Sequence, residues 1–212
     1  MRWTREGGRR MIFAGMLAAA MVLSAMALAA EKPASTKSAA PAVPPEMQQM
    51  MDMMEKMGAP GPQHAELMKQ AGQWKTVSKM WMGPGDPMMS EGTTVSKPTL
   101  GGRFLMDQFK GTFMNKPFEG MGFTGYDNQH KEYVGVWFDT MGTGAIVSHG
   151  SMDASGKVLT MTADMEDPTT GTKAPVKMVT TFVDANSHRF EMFENHDGQE
   201  VKTMEITYTR MK

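Results

Sequence analysis

The sequence predicts an all-β protein, an antiparallel up-and-down β-barrel of about ten strands preceded by a short N-terminal helix. Three observations carry this. From Gly72 onward apolar and polar residues alternate with a period of two, as in Leu159, Met161, Ala163 and Met165 set against Thr160, Thr162 and Asp164. Residues that tolerate positive φ or form local side-chain turns punctuate the alternation at Asp127-Asn128, Asp153-Ala154-Ser155-Gly156, Asp184-Ala185-Asn186-Ser187 and Asp197-Gly198. No helical period interrupts the pattern after Ala71, and closing such a sheet into a barrel removes its exposed edges.

The elements follow in order. Arg2, Arg5, Arg9 and Arg10 precede an apolar stretch from Met11 to Ala30 that ends in small residues, the pattern of a secretory signal peptide. Ala27-Leu28-Ala29 presents small side chains where a signal peptidase needs them, so residues 1–29 are assigned to the signal. The mature chain is then expected to be exported, periplasmic or extracellular, with no stable membrane insertion after cleavage. Residues 30–45 are rich in Ala, Pro, Ser and Lys, lack aromatics, and read as a disordered tether. A Met-rich helical segment occupies 46–71, with helix formers up to Met57, a stop at Gly58, Pro60, Gly61 and Pro62, and a further turn or two over Gln63 to Ala71. The barrel fills 72–212. From Pro62 on there are about 150 residues, enough for one domain with a core of ordinary size. In the first strand Val77 and Trp81 fall on the face opposite Trp74, and one of them is expected to pack beneath the N-terminal helix.

Composition removes several function classes. The chain has 0 cysteines, which excludes a disulfide framework, thiolate metal sites and a cysteine nucleophile. The net charge is −1 and the mature part has no basic cluster, so nucleic acid is not an expected partner. His64, His130, His149, His188 and His196 form no His-x-x-x-His or His-Glu-x-x-His pair, so no local zinc motif exists. The sequence names no cofactor.

Two kinds of residue remain as candidates. The first is methionine, present 27 times. Met47, Met50, Met51 and Met54 share one helix face and could offer soft thioether sulfurs to Cu(I). The alternative use of these side chains is as flexible apolar filler that docks the helix on the barrel. The second kind is the aromatic set of the central strands. Phe104, Phe123, Tyr126 and Trp137, with Asp139 and His149 as polar members, are expected to line a cavity inside the barrel that takes a small apolar or amphipathic ligand. An enzymatic role would have to rest on His149 and Asp139, because Ser148 and His149 are adjacent on a strand and point to opposite faces.

Two resemblances sharpen this picture. Gly72-Gln73-Trp74 on the first strand and Arg210 on the last resemble the calycin superfamily, lipocalins included. The resemblance implies that Arg210 covers the indole of Trp74 at the closed end of the barrel, as a structural cation–π pair. The chain from about Pro60 to Tyr208 is similar to a secreted bacterial family known as domain of unknown function 1579. The matching features are Pro60-Gly61-Pro62-Gln63-His64, Gly101-Gly102-Arg103-Phe104-Leu105, Pro117-Phe118-Glu119-Gly120, Gly125-Tyr126-Asp127-Asn128, Tyr133-Val134-Gly135-Val136-Trp137 and Ser148-His149-Gly150. This second resemblance implies an architecture and supplies no catalytic residue.

Overall fold

The computed structural model describes residues 43–166, 171–196 and 198–212. The expected signal peptide at 1–29 and nearly all of the expected tether lie outside these. Two helices, α1 (Pro45–Gly58) and α2 (Pro62–Met68), precede ten strands. The strands are β1 (Gly72–Met80), β2 (Met88–Thr99), β3 (Phe104–Phe113), β4 (Lys116–Asp127) and β5 (Glu132–Asp139), then β6 (Ile146–Met152), β7 (Val158–Glu166), β8 (Lys173–Asp184), β9 (Ser187–His196) and β10 (Gln199–Arg210).

Each strand pairs antiparallel with its neighbours in sequence, and β1 pairs with β10, so the sheet closes into a ten-stranded up-and-down barrel. Closure runs in register from Trp74 opposite Arg210 to Met80 opposite Met204. Period-two alternation decides which face looks inward. On β7, Leu159, Met161 and Ala163 are buried while Thr160, Thr162 and Asp164 are exposed. Register shifts between Lys202 and Met204 and between Phe182 and Asp184 break the ladders on either side of β9.

α2 closes one end of the barrel. Pro62 opens the helix with its φ already suited to it, and the buried His64 turns back so that its Nδ1 accepts the Gly61 N–H at 2.9 Å. Burial lowers the His64 pKa, which favours the neutral ring that this acceptor role requires. Leu67, one turn on, enters the core with Tyr133, Leu159 and Met161. The opposite end, where β5 finishes and β6 begins, carries the loop from 140 to 145.

α1 behaves differently from the docking expectation. None of its residues is buried, and Met47, Met50, Met51, Met53, Met54 and Met57 are all exposed. The helix is held instead at its C-terminal end, where Asn128 Nδ2 donates to the carbonyls of Met57 and Ala59 at 2.9 and 2.8 Å. Its methionines fall on one broad face with Gln48, Gln49, Asp52, Glu55 and Lys56 opposite, but among the described residues no barrel surface covers that face. Trp81 lies beneath no helix either. It follows the end of β1 remote from α2 and sits under the Lys202 ammonium, 5.4 Å from the ring centroid.

Candidate functional site

Inside the barrel is a cavity of about 460 Å³. Every strand contributes to its wall, and α2 reaches it through Leu67, with Gln70 just beyond the helix. Apolar side chains dominate the middle: Phe109, Phe118, Met161, Met178, Met192 and Ile206. The volume lies within the usual range for sites that enclose small organic molecules, about 300–1,000 Å³.

One side of the end nearest α2, formed by β2, β3, β9 and β10, is polar, beside the apolar cluster that Leu67 enters. Ser96 and Asp107 are opposite one another on β2 and β3, both facing inward, and Ser96 Oγ donates to Asp107 Oδ1 at 2.5 Å. Burial pushes the Asp107 carboxyl up to about 6 against that hydrogen bond. On the other side of β1, His188 and Tyr208 pair on β9 and β10, their rings stacked at 4.2 Å and 16°. Burial first, and the positive Arg210 second, lower the His188 pKa to about 4, so the ring is neutral near neutral pH. Burial and the nearby Asp107 charge raise the Tyr208 phenol, which keeps its proton. Four buried polar atoms of this region, Gln70 Oε1, Thr76 Oγ1, Thr94 Oγ1 and His188 Nδ1, have no hydrogen-bond partner among the described residues, and Gln70, Thr94 and His188 line the cavity. Buried polar groups normally find one, so atoms left open around a cavity mark places where an occupant can bind.

Below this layer the barrel is sealed by Trp74 and Arg210. The guanidinium carbon lies 4.1 Å from the centroid of the fully buried indole. Arg210 also donates from Nε to the Ala185 carbonyl at 2.7 Å, from Nη1 to Ala71 at 2.7 Å and from Nη2 to Lys69 at 2.9 Å. Trp74 Nε1 donates to the Gln70 carbonyl at 3.0 Å. One arginine thus ties the segment after α2 to the β8–β9 turn, with its positive charge spent on carbonyls.

The other end is organised by Trp137. Its Nε1 donates to Asp139 Oδ2 at 2.8 Å, and Asp139 Oδ1 accepts the Met141 N–H at 2.8 Å, which anchors the loop after β5. Room for the indole comes from β4. A Cβ on Gly120 would lie 2.1 Å from Trp137 Cζ2, and one on Gly122 would lie 2.9 Å from Cε3. These two glycines are therefore clearance for a ring within a regular strand, unlike Gly101 and Gly102, whose φ of 67° and 81° belong to a turn.

The six residues expected to line the cavity divide by position. Trp137 and Asp139 line it, and Phe123 borders it from a position out of phase with the inward Gly122 and Thr124. Tyr126 faces inward but packs edge-on against Tyr133, ring centroids 5.1 Å apart, beside the core cluster under α2. Phe104 is on the outer face, covering Gly125, where an added Cβ would lie 2.6 Å from its ring. His149 also points outward, 54% exposed, and pairs with Glu132 through Nδ1 at 3.0 Å. The parity that buries Ser148 sends His149 outside, so it does not meet Asp139 and the two form no catalytic pair. Met47, Met50, Met51 and Met54 lie on the exposed α1. Among the described residues no three His, Cys, Asp or Glu side chains gather in a metal-binding arrangement.

The polar layer contains residues the sequence reading passed over. Asp107 lies in phase with the buried Leu105 and Phe109, and His188 in phase with Phe190 and Met192. A titratable residue on the apolar parity of a strand is the signal that marks both.

Comparison with known proteins supplies a family and a fold. A family model described as protein of unknown function (DUF1579) matches residues 59–210. No curated protein matches the sequence. Among solved structures, Rv2717c from M. tuberculosis is similar at a TM-score of 0.54 and 14% identity, over 73% of this chain and 100% of that one. A redesigned β-barrel is matched at a TM-score of 0.37 and 17% identity, over 71% of this chain and 96% of the other. At 14% identity the likeness to Rv2717c concerns the fold alone. The family match spans the helix α2, the whole barrel and the Trp74–Arg210 seal, and by it this chain belongs to the DUF1579 family.

Proposed function

We propose that this protein is an exported barrel that binds a small apolar or amphipathic ligand in its interior. The observation that carries the reading is the cavity of about 460 Å³, apolar through its middle and bordered at its inner end by buried polar atoms without partners. A core built only to be filled would leave neither. The amphipathic lining matches a ligand with one polar end. Titration with a neutral polarity-sensitive dye such as Nile red tests this. Saturable binding is expected, and Thr180→Trp, which places an indole in the cavity wall, should abolish it while leaving the far-ultraviolet spectrum intact. Absence of saturable binding, or binding indifferent to the indole, overturns the reading.

A second reading is Cu(I) binding by α1. It is favoured by the exposure of Met47, Met50, Met51 and Met54, which leaves four thioethers uncovered on one short helix. A Cu(I) titration against a competing chelator decides it, and affinity weaker than about micromolar removes it.

A further inference from the structure

We infer that the cavity selects an amphipathic amine, its ammonium seated at Asp107 and its apolar part directed along the barrel toward Trp137. This rests on the reading that the barrel binds a ligand, and adds the charge of that ligand.

The first ground is the carboxylate itself. Asp107 borders the cavity, and its one hydrogen bond among the described residues is from Ser96 to Oδ1, so Oδ2 is open. No lysine, arginine or histidine among the described residues forms an ion pair with it. Arg210, which seals this end of the barrel, is committed to three carbonyls and to the indole of Trp74. A buried charge is normally paired, and removing its partner is costly. Here the position of the partner is empty space that a ligand can fill.

The second ground is the chemistry of the open atoms. Gln70 Oε1 can only accept, His188 Nδ1 accepts when the neutral ring carries its proton on Nε2, and Thr94 offers a hydroxyl oxygen. An ammonium group has three donors and no acceptor, so it complements an acceptor-rich end. A carboxylate ligand would face Asp107 with like charge, and an alcohol would leave that charge unpaired. The third ground is shape. The polar layer is at the end closed by Trp74 and Arg210, and Phe109, Phe118, Met192 and Ile206 line the cavity beyond it, where the apolar part of an amine seated at Asp107 would lie.

The test compares ligands of equal apolar length. Octylamine, 1-octanol and octanoate are titrated as competitors of the bound dye at about pH 7.5, where Asp107 is ionised. Octylamine is expected to bind at least about tenfold more tightly than either. Its advantage should disappear in Asp107→Asn. It should also disappear as the pH is lowered through about 6, where Asp107 gains its proton. The titratable groups of this layer besides Asp107 are the protonated Tyr208 on β10 and His188 on β9, held neutral down to about 4, so with Ser96 on β2 none changes charge as the pH passes through about 6. Equal or tighter binding of octanol or octanoate overturns the amine inference and leaves the cavity reading standing. Failure of all three to displace a bound dye also overturns it, and failure of the dye itself removes the broader reading. An advantage that persists in Asp107→Asn removes Asp107 as the seat. Should that variant not fold, the wild-type ligand comparison and its pH dependence decide alone.

Discussion

Replacing Asp107 by asparagine is expected to stabilise the barrel at and above neutral pH. Burial raises this carboxyl from 3.8 to about 6. Holding it charged inside the fold therefore costs about 3 kcal/mol relative to the unfolded chain. Between those two values the folded state keeps a proton that the unfolded state has released, so wild-type stability falls as pH rises through the window. Asparagine preserves the shape, still accepts from Ser96 Oγ through its carbonyl, and carries no charge. The expected gain is up to about 3 kcal/mol at pH near 7.5 and close to zero at pH near 4. His188 supplies a slope of the opposite sign. Its folded pKa of about 4 lies below the ordinary 6.5, so the unfolded state binds the extra proton and acidification through that interval destabilises the fold. In wild type the two slopes oppose each other, and in Asp107→Asn the His188 slope stands alone. Urea unfolding followed by tryptophan emission, repeated at intervals from about pH 4 to 8, measures the difference. A variant no more stable than wild type at the upper end, or equally stabilised at both ends, refutes the reasoning.

Three further outcomes follow from the same geometry. His188→Phe retains a ring between Trp74 and Tyr208 and removes the titration, so its advantage over wild type should grow as pH falls from 6.5 toward about 4, read by the same unfolding series. Gly120→Ala forces its Cβ into the space of Trp137, so a loss of about 1–3 kcal/mol is expected together with a shifted tryptophan emission maximum; unchanged emission and stability would show that the indole yields freely. Arg210→Lys keeps a charge near Trp74 but cannot reach three carbonyls at once. A loss of about 1–3 kcal/mol, seen as a Tm lower by several degrees, is expected, and an unchanged Tm would show that the carbonyl contacts are dispensable.

The barrel was legible because a single physical rule, alternation between a dry and a wet face, repeats along the chain, and strands such as β7 obey it without exception. The inner polar layer was less legible because its members come from β2, β3, β9 and β10, and only the register brings Ser96 to Asp107 and His188 to Tyr208. Parity carried part of the information. Asp107 and His188 each stand where an apolar residue is expected, and the same rule applied to His149 beside Ser148 places it outside. His149 is expected near Asp139 through neighbouring strands, but it stands on the parity opposite the buried Ser148 and so outside the barrel. The helices show a similar division. Their ends follow from proline, glycine and helix formers, while the exposure of α1 depends on which surfaces lie opposite it, and its methionine face does not by itself encode what covers it.

The pairing of β1 with β10 has a consequence for how the molecule is made. The two strands that complete the ring are the first and last of the sheet, so the contact that closes it spans almost the whole domain in sequence. Folding of this kind is late and slow compared with assembly from local contacts. Until Arg210 arrives, Trp74 lacks its cover and the carbonyls after α2 lack their donor. A chain released strand by strand from a ribosome or a pore therefore carries two unpaired sheet edges until its final strand is free.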